Sequence, residues 1–237
     1  MRFDGMHVVV TGGTGALGTA VVARLLELGA TCNVPARRAP DPAQYAPAGH
    51  ANLHVVSGID LTDEAAVAGF YDTIPTLWAS MHVAGGFALA PIADIGKATL
   101  GDMLGTNLVT CALCCRAAIA AIRARPSPGQ SGGRIVNVAA RPALEPRTGG
   151  GMTAYTASKA AVAAFTQALA QEVAGEGIWV NAVAPSVIDT PANRAAMPKA
   201  DHGAWPKPDE IARTIIFLAS ADNLSTRGAV IPVYGRS

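Results

Sequence analysis

The sequence predicts an α/β fold, a doubly wound parallel sheet in a single domain, and three observations carry that reading. Short β-branched runs alternate with longer stretches of helical periodicity along the whole chain, the order that builds parallel βαβ units. The first run is followed at once by a glycine-rich turn and then a helix. The length, 237 residues, suits one large domain, and no stretch reads as a linker.

Residues 6–10 are the first predicted strand. Thr11-Gly12-Gly13-Thr14-Gly15-Ala16-Leu17-Gly18 follows, then a helical pattern carried by Val21, Val22, Leu25, Leu26 and Leu28 that stops at Gly29. Glycines let backbone amides approach a pyrophosphate, and a helix N-terminus favours its charge. In this strand–turn–helix setting the turn is read as a dinucleotide-binding loop, with Gly12, Thr14, Gly15, Ala16, Leu17 and Gly18 along the phosphates. The second strand, 31–35, delivers Ala36-Arg37-Arg38. An acidic residue at its end would grip the ribose hydroxyls of NAD, but Ala36 fills that slot, eighteen residues after Gly18. Guanidinium suits a 2′-phosphate, so NADPH is the expected cofactor, held by Arg37 and Arg38. The competing reading is two solvated arginines in a loop.

A Pro/Ala loop (41–49) leads to a third strand at 53–57, and Asp60-Leu61 turn into a helix at 63–71. The fourth strand ends at Met81-His82-Val83-Ala84-Gly85-Gly86. A long helix, 99–125, passes through Asn107, and 125–133 is polar, Pro/Gly-rich loop. The fifth strand, 134–138, runs through Ala139-Ala140-Arg141 to a glycine-rich approach to Tyr155. A helix at 160–172, a strand at 179–183, a long connection at 184–208, a helix at 209–220 and a strand at 229–233 complete the chain.

Tyr155 and Lys159 stand four apart at the head of an Ala-rich run with no Gly or Pro before Gly175. On a helix they share a face, so the ammonium can sit beneath the phenol. A nearby cation favours phenolate and lowers the tyrosine pKa, and such a pair can give or take a proton beside a carbonyl or imine carbon. Taken alone, the pair is weak evidence and reads more readily as two residues on a solvated face; the glycine loop is what reverses that reading.

Composition sets bounds. Half the residues are hydrophobic and mean hydropathy is +0.29, so a large aliphatic core is available. A net charge of +1 gives no electrostatic argument for nucleic acid or anionic membrane. The N-terminus has no signal-peptide layout, and no apolar run reaches the roughly 18 residues of a membrane span. Arg116 and Arg123 interrupt the most apolar candidate. A cytoplasmic protein with reduced thiols is expected. Cys111, Cys114 and Cys115 share a helix face, but their neighbours in sequence include no His or carboxylate. They read as small buried apolar residues, and no metal is expected.

Thr11-Gly12 to Gly18, Asp60, Ala84-Gly85, Asn107, Tyr155 with Lys159, Asn181 to Pro185, and Thr190 follow one another in the order and spacing of a known family. Across nearly its whole length the chain resembles a short-chain dehydrogenase/reductase of Rossmann type. The resemblance implies that Tyr155 is the proton donor and that Lys159 binds the nicotinamide ribose and lowers the Tyr155 pKa. It implies that Asn107 holds a water relay to Lys159 and that Asp60 and Leu61 flank the adenine. Ala84, Gly85, Pro185, Val187, Ile188 and Thr190 would line the cofactor, with Thr190 at the carboxamide. A segment at about 186–208 would cover a small-molecule substrate. Homo-oligomers, tetramers or dimers, would form through the helices that contain Cys111 to Cys115 and residues 160–172.

Three positions depart from the family pattern. Ala16 replaces the middle glycine of the loop, Ser186 follows Pro185 in place of glycine, and Ala140 stands where the catalytic Ser is expected. Losing such a hydroxyl donor costs about 3 kcal/mol of transition-state stabilisation. The dihydropteridine reductase branch of the family lacks the same Ser, and this chain is similar to it in three stretches. They are Gly13 to Gly18, Val83 to Gly86, and the connection through Asp189-Thr190-Pro191-Ala192-Asn193-Arg194, Met197-Pro198, Ala200-Asp201 and Trp205. That branch uses NADH and has no Asn at the position of Asn107. The expectation is an NADPH-dependent reductase of an activated C=N or C=O, a dihydropterin-like ring the best single substrate. The alternatives are a general carbonyl or quinone reductase of the same family, and a non-catalytic NADPH-binding regulatory protein.

Overall fold

The computed structural model describes residues 1–124 and 132–237. Most of the predicted 125–133 loop therefore lies outside the described residues. Seven strands form one sheet in the order β3-β2-β1-β4-β5-β6-β7, every pairing parallel. They are β1 His7–Thr11, β2 Thr31–Ala36, β3 Leu53–Ser57, β4 Leu77–His82, β5 Gly133–Val138, β6 Ile178–Pro185 and β7 Val230–Val233. Pro35 is tolerated in the inner strand β2 because the β1 pairing stops at Asn33, so no ladder bond is lost on that side.

Alternation along β1 sorts the core. Val8 and Val10 face the layer of α1 (Ala16–Glu27) and α8 (Pro208–Ala219), which supply Val21, Val22, Leu25, Ile211, Ile215 and Ile216. Val9 faces the layer of α2 (Glu64–Asp72), α4 (Thr110–Arg123) and α6 (Thr153–Glu172), with Phe70, Ile119, Val162 and Leu169. Strands covered on both faces read as near-continuous apolar runs, as parallel sheets do. Helix α1 closes with Gly29 at φ 87. Gly29 N–H donates to Leu26 and Ala30 N–H to Leu25, so orphan carbonyls at the helix end are satisfied.

The predicted 99–125 helix is three pieces: α3 (Lys97–Leu104), a π turn at Gly105–Val109, and α4. The unit Lys97–Arg123 is 27 residues long, with a window of mean hydropathy 1.5 that is half buried. The apolarity serves the face packed on the sheet, where Cys111, Cys114, Cys115 and Ile119 lie. The predicted 160–172 helix starts earlier, at Thr153, so Tyr155 lies inside it. The 184–208 connection is partly helical, with α7 at Pro191–Ala196; α5 (Arg141–Leu144) is a further short helix that periodicity could not show.

Candidate active site

Strands β1 and β4 are neighbours whose onward connections diverge, so a crevice opens beyond their carboxyl ends. Thr11 Oγ1 accepts from Ala84 N–H at 3.3 Å across that crevice. Gly12 is at φ 66, and a Cβ there would lie 2.6 Å from the Ala84 nitrogen. Only glycine lets the loop lie this close to the β4 end. Gly15 is the N-cap of α1, with no side-chain cap and no acidic residue in the first turn. An uncapped N-terminus with no protein anion fits a cofactor pyrophosphate. Thr14, Gly15 and Ala16 are exposed there, while Leu17 and Gly18 are buried and offer only backbone. A Cβ on Gly18 would collide with the Gly12 carbonyl.

At the other end of the crevice Ala36 is buried, and Arg37 and Arg38 project into solvent. Asp60 Oδ1 accepts from Thr62 N–H at 2.9 Å and from its hydroxyl at 2.8 Å. Those bonds, then the Arg37 charge, hold its carboxyl below the usual range. The arginines and Asp60 therefore share the end at which an adenosine would sit, with Leu61 packed half-buried below.

Tyr155 lies in the first turn of α6 and Lys159 one turn later. Lys159 is 6% exposed, and its ammonium donates to the Val138 carbonyl at 2.8 Å. Asn107, 1% exposed, sits in the π turn, a distortion that concentrates at functional sites. Its Nδ2 donates to Gly86 O at 3.1 Å and to Ser158 Oγ at 3.0 Å, and its Oδ1 accepts from Gly86 N–H at 3.0 Å. A Cβ on Gly85 would lie 2.8 Å from Asn107 Oδ1 and 3.1 Å from Lys159 Nζ, so both side chains converge on that glycine. Phe87 meets the Tyr155 ring edge-on, centroids 5.0 Å apart.

The electrostatics correct one expectation. Burial pulls Lys159 down to about 8, with Cys111 acting in the opposite direction, and burial pushes Tyr155 up to about 12. In the bare protein the Tyr155 phenol is held neutral by desolvation, not lowered by Lys159, whose ammonium is taken by Val138. A neutral phenol is the form that gives a proton.

Ala140 is 5% exposed and extended, and it caps α5 with a methyl group where a hydroxyl was expected. The Thr148 hydroxyl donates to Glu145 O at 2.8 Å, so it is not a substitute donor. Arg141 pairs with Glu145 at 2.8 Å and lies 4.9 Å above the Tyr234 ring. Beyond β6, Pro185 is buried and Val187 exposed. The Ile188 carbonyl accepts from Asn193 Nδ2 at 2.8 Å. Thr190 caps α7, its Oγ1 accepting from Asn193 N–H at 3.2 Å.

Ser158, Gly86, Phe87 and the Val138 carbonyl complete the site, and sequence reasoning did not find them. Only the place of Ser158 beside Lys159 was a usable signal. Cys111, Cys114 and Cys115 are buried in the core, as the sequence indicated. The fold adds a neighbour that sequence proximity did not show, His82 from β4, within reach of Cys111 and Cys115.

A family model described as short chain dehydrogenase matches residues 6–201. The chain is 34% identical to a cis-4-hydroxycyclohexanecarboxylate dehydrogenase of Sinomonas cyclohexanicum, over 96% of this chain and 94% of that protein. It is 32% identical to a galactitol 2-dehydrogenase of Rhizobium johnstonii, over 98% and 95%. Among solved structures, ElxO with NADP bound superimposes with a TM-score of 0.85, covering 99% of this chain and 98% of that one at 22% identity. At that identity the likeness speaks for the fold.

Proposed function

The chain belongs to the short-chain dehydrogenase family, and on that premise we propose that it is an NADPH-dependent reductase of an activated C=N or C=O group. Bound NADPH would supply the hydride. The glycine loop and the α1 N-terminus would hold its phosphates, and Arg37 and Arg38 its 2′-phosphate, with no acidic residue at Ala36 to favour NADH. Tyr155 holds its proton at the phenol oxygen and gives it to the substrate atom that gains charge. Lys159 and Asn107, meeting over Gly85, fix the ribose side and the proton supply to Tyr155. Residues 186–208, tied down by Thr190 and Asn193, would cover the substrate and exclude water. The reaction needs no membrane or nucleic acid, and the protein acts as a homo-oligomer.

Ala140 carries the choice of substrate. With a methyl group there and Thr148 engaged elsewhere, a substrate that needs a second donor at its oxygen is poorly served. A conjugated imine such as a quinonoid dihydropterin is its own electron sink, so Tyr155 need only protonate it. The names of the relatives favour a second reading, a dehydrogenase or reductase of simple hydroxyl and carbonyl compounds. NADPH oxidation with a quinonoid dihydropterin, a quinone and a simple ketone separates the two. Ala140→Ser should raise kcat/KM about 10-fold on the ketone and less than about 3-fold on the dihydropterin. Efficient ketone reduction by the unaltered protein, unchanged by Ala140→Ser, would favour the second reading. Tyr155→Phe should slow either reaction about 100-fold or more while NADPH still binds.

A further inference from the structure

On the face of the sheet covered by α4, His82 from the end of β4 meets Cys111 and Cys115, one turn apart on the helix. One ligand atom from each falls within 4.8 Å of the others, and all three residues are buried. Cys115 Sγ is 3.4 Å from His82 Nδ1 and 3.5 Å from Asn137 Oδ1. A tetrahedral ion with bonds of about 2.3 Å to sulfur and about 2.0 Å to nitrogen or oxygen separates such ligands by about 3.5 Å. The sulfur is already at that spacing from both; His82 Nδ1 and Asn137 Oδ1, 2.8 Å apart in a hydrogen bond, must part by about 0.5 Å as the ion replaces the proton between them.

The surroundings fit as well. The other ring nitrogen of His82 lies 2.8 Å from Ser80 Oγ and 3.3 Å from Tyr71 OH. A metal-bound imidazole commonly has such a partner for its second N–H. Asn137 is anchored from behind, its Nδ2 donating to Thr166 Oγ1 at 2.9 Å, which aims Oδ1 at the cluster. The cysteines come from one helix and the imidazole from a strand, so an ion would tie α4 to the sheet one turn from Asn107.

We propose that His82, Cys111 and Cys115, with the Asn137 carboxamide oxygen in the fourth position, form a binding site for one thiophilic d10 cation. Binding replaces one proton on each thiol. The imidazole stays neutral, moving its proton from Nδ1 to Nε2, where the Ser80 or Tyr71 oxygen accepts it. Two protons leave and a doubly charged ion arrives, so the assembled site carries no net charge, as a dry core requires. Because every ligand is buried, loading belongs to folding rather than to exchange with the finished protein.

The full-length protein, refolded under reducing conditions with Zn²⁺, should retain one ion in native mass spectrometry, with two protons fewer than the metal-free form. Refolding with Co²⁺ should give visible bands of tetrahedral cobalt and a thiolate charge-transfer band in the near ultraviolet. Cys111→Ala with Cys115→Ala should lose both signals while the protein still binds NADPH, and zinc should raise Tm only in the unaltered chain. A folded, NADPH-binding wild type that takes up no zinc on refolding would overturn the proposal without reference to any variant. So would zinc uptake undiminished in the double variant.

Discussion

Lys159 is a cation held where cations are costly, and its burial makes a prediction separate from catalysis. Its folded pKa, about 8, lies below the 10.5 of an unperturbed lysine. Below pH 8 both folded and unfolded chains are charged, and the folded state bears the whole penalty. Between pH 8 and 10.5 the unfolded chain binds the extra proton, so this contribution to stability rises with pH. Lys159→Met removes the penalty and the bond to Val138. It should therefore stabilise the protein by roughly 2 kcal/mol at pH 7, less towards pH 10, while abolishing turnover. Urea unfolding of both proteins at the two pH values measures this, and a gap that does not shrink would refute it. At the other end of the crevice Arg37 is exposed and close enough to bias Asp60. Arg37→Ala should weaken NADPH at least tenfold (~1.4 kcal/mol) and leave NADH little changed. Equal losses for the two cofactors in fluorescence titrations would mean that Arg37 does not read the 2′-phosphate.

Among the elements, the π turn between α3 and α4 is the one that assembles the site. The π turn joins α3 to α4 and carries Asn107 on its buried side, one turn before Cys111 on the same inward face. The turn places Asn107 against Gly86 and Ser158, and so next to Gly85. Gly85→Ala should displace Asn107 and Lys159 together, because its methyl group would lie 2.8 Å and 3.1 Å from their polar atoms. The expected result is a fall in kcat of about tenfold or more, with the far-ultraviolet circular dichroism spectrum unchanged. Wild-type kcat in this variant would mean that the convergence over Gly85 is not used in turnover.

In the whole molecule, two core layers grip one sheet, and α4 and α6 bury one face each and leave the other uncovered. Cys111, Cys114 and Cys115 point into the chain's own core, so self-association cannot use that stripe. A homo-oligomer built on these helices would use their outer surfaces, where Leu113 and Phe165 are only partly buried. Light scattering on the eluting protein should give a dimer or tetramer of the 24.1 kDa chain. Leu113→Glu with Phe165→Glu should reduce it to monomer without unfolding. A monomeric wild type at micromolar concentration would contradict the homo-oligomer reading.

The sequence by itself determined the layered α/β fold, because period-2 and period-3.6 patterns and the glycine turn are local signals. It also determined the glycine turn between β1 and α1, the arginines after β2 and the Tyr155–Lys159 spacing, each contained in a few consecutive residues. Most element ends moved by a residue or two, and α6 begins seven residues before its predicted start. The long helix was missed as a kinked one, since nothing in Gly105-Thr106-Asn107 distinguishes a π turn from an α turn. Only the tertiary structure decided which groups meet. The partners of Asn107 come from Gly86 and Ser158, 21 and 51 residues away in sequence. His82 reached the thiols of α4 because parallel pairing set β4 under that helix. The direction of the Tyr155 and Lys159 shifts likewise depends on how much water the packed fold excludes, a quantity that no run of residues encodes.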